Sequence, residues 1–272
     1  MKFAVGITLY NPDHICLENI KKYLNSFDKV IIYDNSFNNE EYVHFIELIG
    51  DKCIYIYNSS NDGLCVAINT MLDICFDQNI DYLCTMDQDS VFNSDDIEII
   101  KSYIIDNKNE ENAIIAPYIR YSHIKDKVVP KNGVDFVPWV ITSGSFLNVN
   151  LLVSCNIRYD ENYFIDRCDL DFSKQIIDAG LKICRINSSF LYQSLGELNS
   201  KNYSEHSSIR HYYMFRNRFY YGKKYGQSGI SILQTLKHVY LIIRYESDKK
   251  NKLHQLWIAL NDYLSGKMGK RE

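Results

Sequence analysis

The chain has 272 residues, 46% hydrophobic, 14% aromatic and 24% charged. That length suits one large domain or two small ones, and that aromatic content excludes an intrinsically disordered chain. The net charge of −4 is uneven: residues 1–200 hold 16 Lys and Arg against 29 Asp and Glu (−13), while residues 201–272 hold 14 against 5 (+9).

In chain order, residues 3–9 read as a buried strand, closed by the turn Tyr10-Asn11-Pro12-Asp13. Residues 14–26 carry apolar positions at near-helical spacing, and residues 29–33 form a second strand that stops at Asp34-Asn35-Ser36, all turn formers. A helix over 40–49 and a strand over 52–57 follow. The polar loop 58–63 leads into an amphipathic helix with Leu64, Ile68, Leu72 and Cys75 on one face. A fourth strand, 81–86, ends at Asp87-Gln88-Asp89-Ser90, and a helix runs over 94–106. This alternation predicts an α/β fold: a mostly parallel, Rossmann-like central sheet flanked by helices, with ligands bound outside the carboxyl ends of its strands. Further strands are expected over 113–120, 134–141, 181–186 and 190–193. Residues 157–164 read as a loop. Helices are expected over 168–179, stopping at Gly180, and over 207–225 and 229–246.

No apolar run approaches the roughly 20 residues that span a bilayer, and the start reads directly into a strand rather than a signal peptide. The expected location is cytoplasmic. The eight cysteines include no C-x-x-C pair and read as reduced core residues. The basic balance after residue 200 implies an anionic contact such as a diphosphate, a lipid surface or nucleic acid.

Three acidic or basic clusters can carry chemistry. Asp87-Gln88-Asp89 places two carboxylates at a strand end, a pattern that suits a hard divalent cation such as Mg²⁺ or Mn²⁺ and that also occurs in plain surface turns. Asp166, Asp169 and Asp171 open a helix behind the apolar segment Tyr163-Phe164-Ile165. A carboxylate there can act as helix cap or, with its pKa raised, as general base. Arg210, Tyr213, Arg216 and Asn217 lie on a basic, aromatic helix, where Arg suits bidentate contact with phosphate. Phosphate-loop, G-x-G-x-x-G and G-x-S-x-G motifs are absent, which removes simple kinase, dehydrogenase and α/β-hydrolase readings. Thr142-Ser143-Gly144-Ser145 is either a polar pocket or a turn.

Taken in order, Thr8–Pro12, Val30–Ser36, Asn61-Asp62-Gly63 with Ala67 and Asn69, Met86–Ser90, Thr142–Ser145, Phe164-Ile165-Asp166 with Asp169 and Asp171, Leu195-Gly196-Glu197 and Arg210–Asn217 resemble the inverting family 2 glycosyltransferases of the GT-A fold. More narrowly, they look like the bacterial rhamnosyltransferase branch. The resemblance implies a domain over 1–200 and a basic helical extension over 201–272 packed on it. It implies that a sugar, rhamnose from dTDP-rhamnose in that branch, moves with inversion from a nucleoside-diphosphate donor (a dTDP- or UDP-sugar) to a glycan or lipid-linked acceptor, in cell-surface polysaccharide biosynthesis. Tyr10, Asn11, Asp34, Asp62, Asp87 and Arg216 then match donor-binding positions. Asp89 matches the Mg²⁺ or Mn²⁺ ligand and Asp169 the catalytic base, while Ser143, Gly144 and Asp171 border the acceptor. Two positions depart from the pattern: Gln175 stands where an Arg is usual, and Gln193-Ser194 where a His often precedes Leu-Gly-Glu. These departures leave a non-catalytic nucleotide-sugar or glycan-binding module as the alternative. His206 and His211 are candidate substitutes for the missing His. Peripheral contact with the inner face of the cell membrane is expected through the helix over 229–245, and no nucleic acid is expected as partner.

Overall fold

The computed structural model describes residues 1–107, 111–121, 132–193 and 205–271. They form two compact units, the first made of residues 1–159 and 172–194 and the second of residues 160–171 and 195–272.

The first unit is built on one mixed sheet. Its strands are β1 (Phe3–Leu9), β2 (Lys29–Asp34), β3 (Cys53–Tyr57), β4 (Tyr82–Asp87), β5 (Val91–Phe92), β6 (Asn112–Tyr121), β7 (Val134–Phe136), β8 (Ser145–Asn148) and β9 (Lys182–Gln193). They run in the order β3-β2-β1-β4-β8-β6-β9-β5, with β7 also on β9. The β3-β2-β1-β4 half is parallel. Val5, Ile7, Leu9, Val30 and Ile32 are fully buried there, as near-continuous apolar runs in parallel strands require. Helices α1 (His14–Lys21), α2 (Val43–Ile49), α3 (Leu64–Asp77) and α4 (Ser94–Asp106) alternate with these strands as expected, and the short α5 (Val149–Ser154) follows β8. Asp13 caps α1, accepting the Cys16 amide at 2.8 Å.

The other half differs from expectation in three places. The strand β8 is antiparallel to both β4 and β6. Its four residues, together with α5, were too short to register as elements. The strand expected over 134–141 ends at Phe136, because Pro138 has no amide to continue the ladder. The two strands expected over 181–186 and 190–193 are one, β9, interrupted by a bulge: Pro117 pairs with Ile186, but Tyr118 pairs with Phe190.

Helix α6 (Cys168–Asp178) begins in the second unit, and Gly180 ends it with φ of +77°, a conformation glycine adopts without strain. The second unit continues with α7 (Ser208–Lys224), α8 (Ser228–Tyr245) and α9 (Lys249–Leu264), the last not anticipated from the sequence. Its core gathers Tyr212, Tyr213, Phe215, Ile242 and Ala259. At Gly222 an added Cβ would overlap the Ser231 side chain, so α7 and α8 approach closely there. All eight cysteines are free thiols; Cys155 is exposed and Cys53 half-buried, the others buried.

Candidate active site

In the first unit the carboxyl ends of β1, β2 and β4 are laced into one rim. The Tyr10 amide donates to Gln88 Oε1 at 2.8 Å, and Gln88 Nε2 returns a bond to the Tyr10 carbonyl. Asn11, at φ 45°, donates its amide to Ser36 Oγ at 2.7 Å. Asn35 Oδ1 accepts the Asp62 amide, and Asp62 Oδ2 accepts the Tyr33 hydroxyl at 2.7 Å. Each bond spans separate strand ends or joins a strand to the 58–63 loop, so small polar residues carry the geometry that a longer loop would leave loose.

Asp87 ends β4, the strand of this rim that borders β8. Its amide donates to Ser143 Oγ at 3.0 Å, and Ser143 Oγ in turn donates to Ser90 Oγ at 2.8 Å. The Gly144 amide donates to the Thr85 carbonyl at 2.7 Å. Thr142-Ser143-Gly144 is thus a buried turn that fixes the end of β4. Gln193 Nε2 reaches Asp87 Oδ2 at 3.4 Å, so the residue standing where the related pattern has His points its amide at the first acid. Asp87 is half-buried and Asp89 exposed. The two carboxylates are hard oxygen donors of the kind that suit Mg²⁺ or Mn²⁺. Leu195-Gly196-Glu197 lies outside the described residues.

Asp34 is fully buried, accepting from the Tyr42 hydroxyl at 2.9 Å, the Tyr55 hydroxyl at 2.5 Å and the Ser36 amide at 2.9 Å. Burial and the nearby Asp34 carboxylate push both phenols above their usual range. At this edge Tyr10 is exposed, 46% accessible. Asn69 is a buried bracket, exchanging two bonds with the Tyr159 backbone. Gln175 donates to the Arg158 carbonyl at 3.0 Å.

In the second unit, Asp169 sits in the first turn of α6. Burial raises its carboxyl pKa, and the nearby Asp166 adds to the shift. The two residues before α6, Asp166 and Arg167, both have positive φ (64° and 67°), a left-handed pair without glycine. Asn217 of α7 holds this turn by donating to the Ile165 carbonyl at 2.6 Å and the Asp166 carbonyl at 3.1 Å. Asp171 is fully buried and bonded by Lys224, Tyr163 and Tyr225; Lys224 also pairs with Asp160 at 2.7 Å. Arg216 is 1% exposed, donates to Asn217, Tyr212 and the Asn162 carbonyl, and lies over the Tyr212 and Tyr213 rings. That environment gives Arg216 the work of bracing Asn162 and Asn217, where the resemblance makes it a donor-binding position.

His211 belongs to a buried relay. Arg218 can only donate, so His238 Nδ1 accepts from it at 3.1 Å; His238 Nε2 then donates to His211 Nδ1 at 3.1 Å, and His211 Nε2 to Glu246 at 2.8 Å. Lys252 closes the chain on Glu246 at 2.9 Å. His211, His238 and Glu246 are close enough to share a metal ion. A cation at each end of the relay already meets these donors, and the direction of the bonds leaves both imidazoles neutral. Burial, then Arg218, pushes His238 down to about 3. No spacing or motif points to His238 and Glu246, which meet His211 only through the packing of the helices of this unit.

The fold is a mixed α/β sheet with an acidic strand end at Asp87 and Asp89. The family model for glycosyl transferase family 2 matches residues 5–148, just over half of the chain, and the chain belongs to that family. No curated protein matches. Among solved structures the chain is similar to residues 1–349 of Staphylococcus aureus TarS in complex with UDP-GlcNAc, with 15% identity, TM-score 0.53, and coverage of 97% of this chain and 73% of that one. It is also similar to GalNAc-T7 with UDP, GalNAc and Mn²⁺, with 13% identity, TM-score 0.57, and coverage of 80% and 50%. These likenesses establish the GT-A fold.

Proposed function

We propose that this family 2 glycosyltransferase moves a sugar from a nucleoside-diphosphate donor to a glycan or lipid-linked acceptor with inversion, in cell-surface polysaccharide synthesis. The observation that carries the reading is the laced rim of β1, β2 and β4, with Asp87 and Asp89 at the end of β4. The nucleotide is assigned to the edge formed by Tyr10, Asn11 and the 58–63 loop with Asp62. Asp34 acts there from beneath, by fixing the turn after β2 and the hydroxyls of Tyr42 and Tyr55.

Asp89, with Asp87 two residues before it at the end of β4, would hold Mg²⁺ or Mn²⁺. The ion supplies Lewis-acid neutralisation of the charge that grows on a leaving diphosphate. Asp169 takes the proton from the acceptor hydroxyl. Its burial raises the carboxyl's proton affinity, which strengthens it as a base at neutral pH. Ser143 and Gly144 shape the acceptor side by setting the end of β4, and Asp171 with Lys224 anchors the helix that presents Asp169. The resemblance to rhamnosyltransferases makes dTDP-rhamnose the first donor to try. The neighbours with UDP-GlcNAc and UDP make UDP-sugars the second.

A donor screen by thermal shift, with Mn²⁺ present, tests the reading. Stabilisation by one diphosphate sugar, followed by its slow hydrolysis without acceptor, is the expected result. Stabilisation with no hydrolysis and no transfer to any acceptor would leave the binding module as the better account.

A further inference from the structure

Helix α8 is amphipathic the wrong way round for a helix in water. The side it turns inward carries Ser231, Thr235, His238 and Ile242, three of them polar. Its outward side carries Leu233, Leu236, Tyr240 and Ile243, between 50% and 68% exposed. At 100° per residue these four fall on one stripe, with Lys237 and Arg244 along its flank. Isolated surface leucines need no explanation, but an uninterrupted apolar stripe opposite a polar inner face does. No acidic residue occurs between His206 and Tyr245. The neighbouring α9 adds an exposed Trp257, the side chain best suited to a boundary between water and hydrocarbon.

We infer that the outward face of α8 docks on an anionic lipid surface, with its axis in the plane of the membrane. No helix of the described residues is long and apolar enough to cross a bilayer, so the contact lies on the membrane surface. The occupant follows from charge and area. An anionic headgroup layer complements Lys237 and Arg244, whereas a second copy packed on the same stripe by two-fold symmetry would bring like charges together. Eighteen residues make a helix about 27 Å long, and a stripe about 10 Å wide then covers roughly 300 Å². A stable protein interface needs about 800 Å² per partner, and a bilayer has no such minimum. The inference rests on α8 alone and holds whether or not the chain transfers sugar.

Sedimentation of the full chain with vesicles tests it. Phosphatidylcholine vesicles containing phosphatidylglycerol should carry the protein down at low salt, pure phosphatidylcholine vesicles should carry far less, and about 1 M salt should release it as the Debye length falls to about 3 Å. The double change Leu233→Glu and Leu236→Glu should abolish pelleting while leaving the circular-dichroism melt unchanged, since both side chains are exposed. Lys237→Gln and Arg244→Gln should each weaken binding about fivefold at low salt. Should the glutamates disturb folding, Leu236→Gln alone should still lower binding. Equal pelleting of wild type and these variants overturns the proposal. So does a dimer in solution that the glutamates dissociate, which would assign the stripe to a second copy of the chain.

Discussion

At the rim of the sheet, the bonds shown to Asp34, Asp62 and Asp87 come from hydroxyls and amides. Asp34 is met by two tyrosine hydroxyls and an amide, Asp62 by a tyrosine and a serine, and Asp87 by Gln193. In the second unit the acids are held by cations and by a distorted backbone. Lys224 pairs with Asp160 and Asp171, Arg210 with Asp166, and two consecutive left-handed residues lead into the turn that carries Asp169. A bond from a neutral group fixes a carboxylate without cancelling its charge, which suits the cation site proposed at this rim. Ion pairs cancel charge, so the same device suits acids whose task is to hold a loop. Asp169, the base proposed among them, has its proton affinity raised by burial.

Loss of the rim's charge should have the largest effect. Asp89→Ala should lower metal-dependent transfer by about 10²–10⁴-fold, since the several kcal/mol of Lewis-acid stabilisation are lost at about 1.4 kcal/mol per decade. The fold should be unaffected, because Asp89 is exposed. Activity unchanged at saturating Mn²⁺ would place the cation elsewhere and break the contrast between the two regions.

Next comes the base. Asp169→Asn should bind donor as the wild type does and turn it over about 10²–10⁴-fold more slowly. In the wild type, kcat should fall as pH drops through the Asp169 pKa, because only the ionised carboxylate accepts the proton. Burial sets that limb above the ordinary carboxylate range. A kcat profile flat down to the pKa of a free aspartate would remove Asp169 from this role.

Asn217 tests whether the distorted turn matters to turnover. Asn217→Ala removes two bonds to the carbonyls of Ile165 and Asp166, at about 1 kcal/mol each. The left-handed pair then loses its brace, so kcat should fall about tenfold with the donor KM unchanged. A change in KM alone would make Asn217 part of binding.

The first four strands and helices were legible because parallel strands buried on both faces read as apolar runs, and Asp, Asn and Ser mark their ends. β8 and α5 were not, since four and six residues show no period. The acids of the rim could be named from their place after β4, but the function of Ser143 depends on a bond to the Asp87 amide across 56 residues of sequence. Arg216 illustrates the limit. Its type suggests phosphate, and only packing reveals that the guanidinium is enclosed by Tyr212, Tyr213 and Asn217.

The smallest effect separates the two regions by acid. In the folded second unit His238 is pushed down to about 3 by burial and by Arg218, from the ordinary imidazole value of 6.5. Between those values the unfolded chain binds a proton that the folded chain refuses, so unfolding takes up a proton. Stability therefore falls as pH drops below 6.5, by at most about 1.4 kcal/mol per pH unit for this one group. Each unit contains one tryptophan, Trp139 in the first and Trp257 in the second. Trp139→Phe leaves a reporter of the second unit, and Trp257→Phe one of the first. Urea midpoints should shift with pH more for the Trp257 signal than for the Trp139 signal, and His238→Gln should flatten the difference. Equal pH dependence of both signals, unchanged by His238→Gln, would show that the buried relay of Arg218, His238, His211 and Glu246 does not distinguish the second unit.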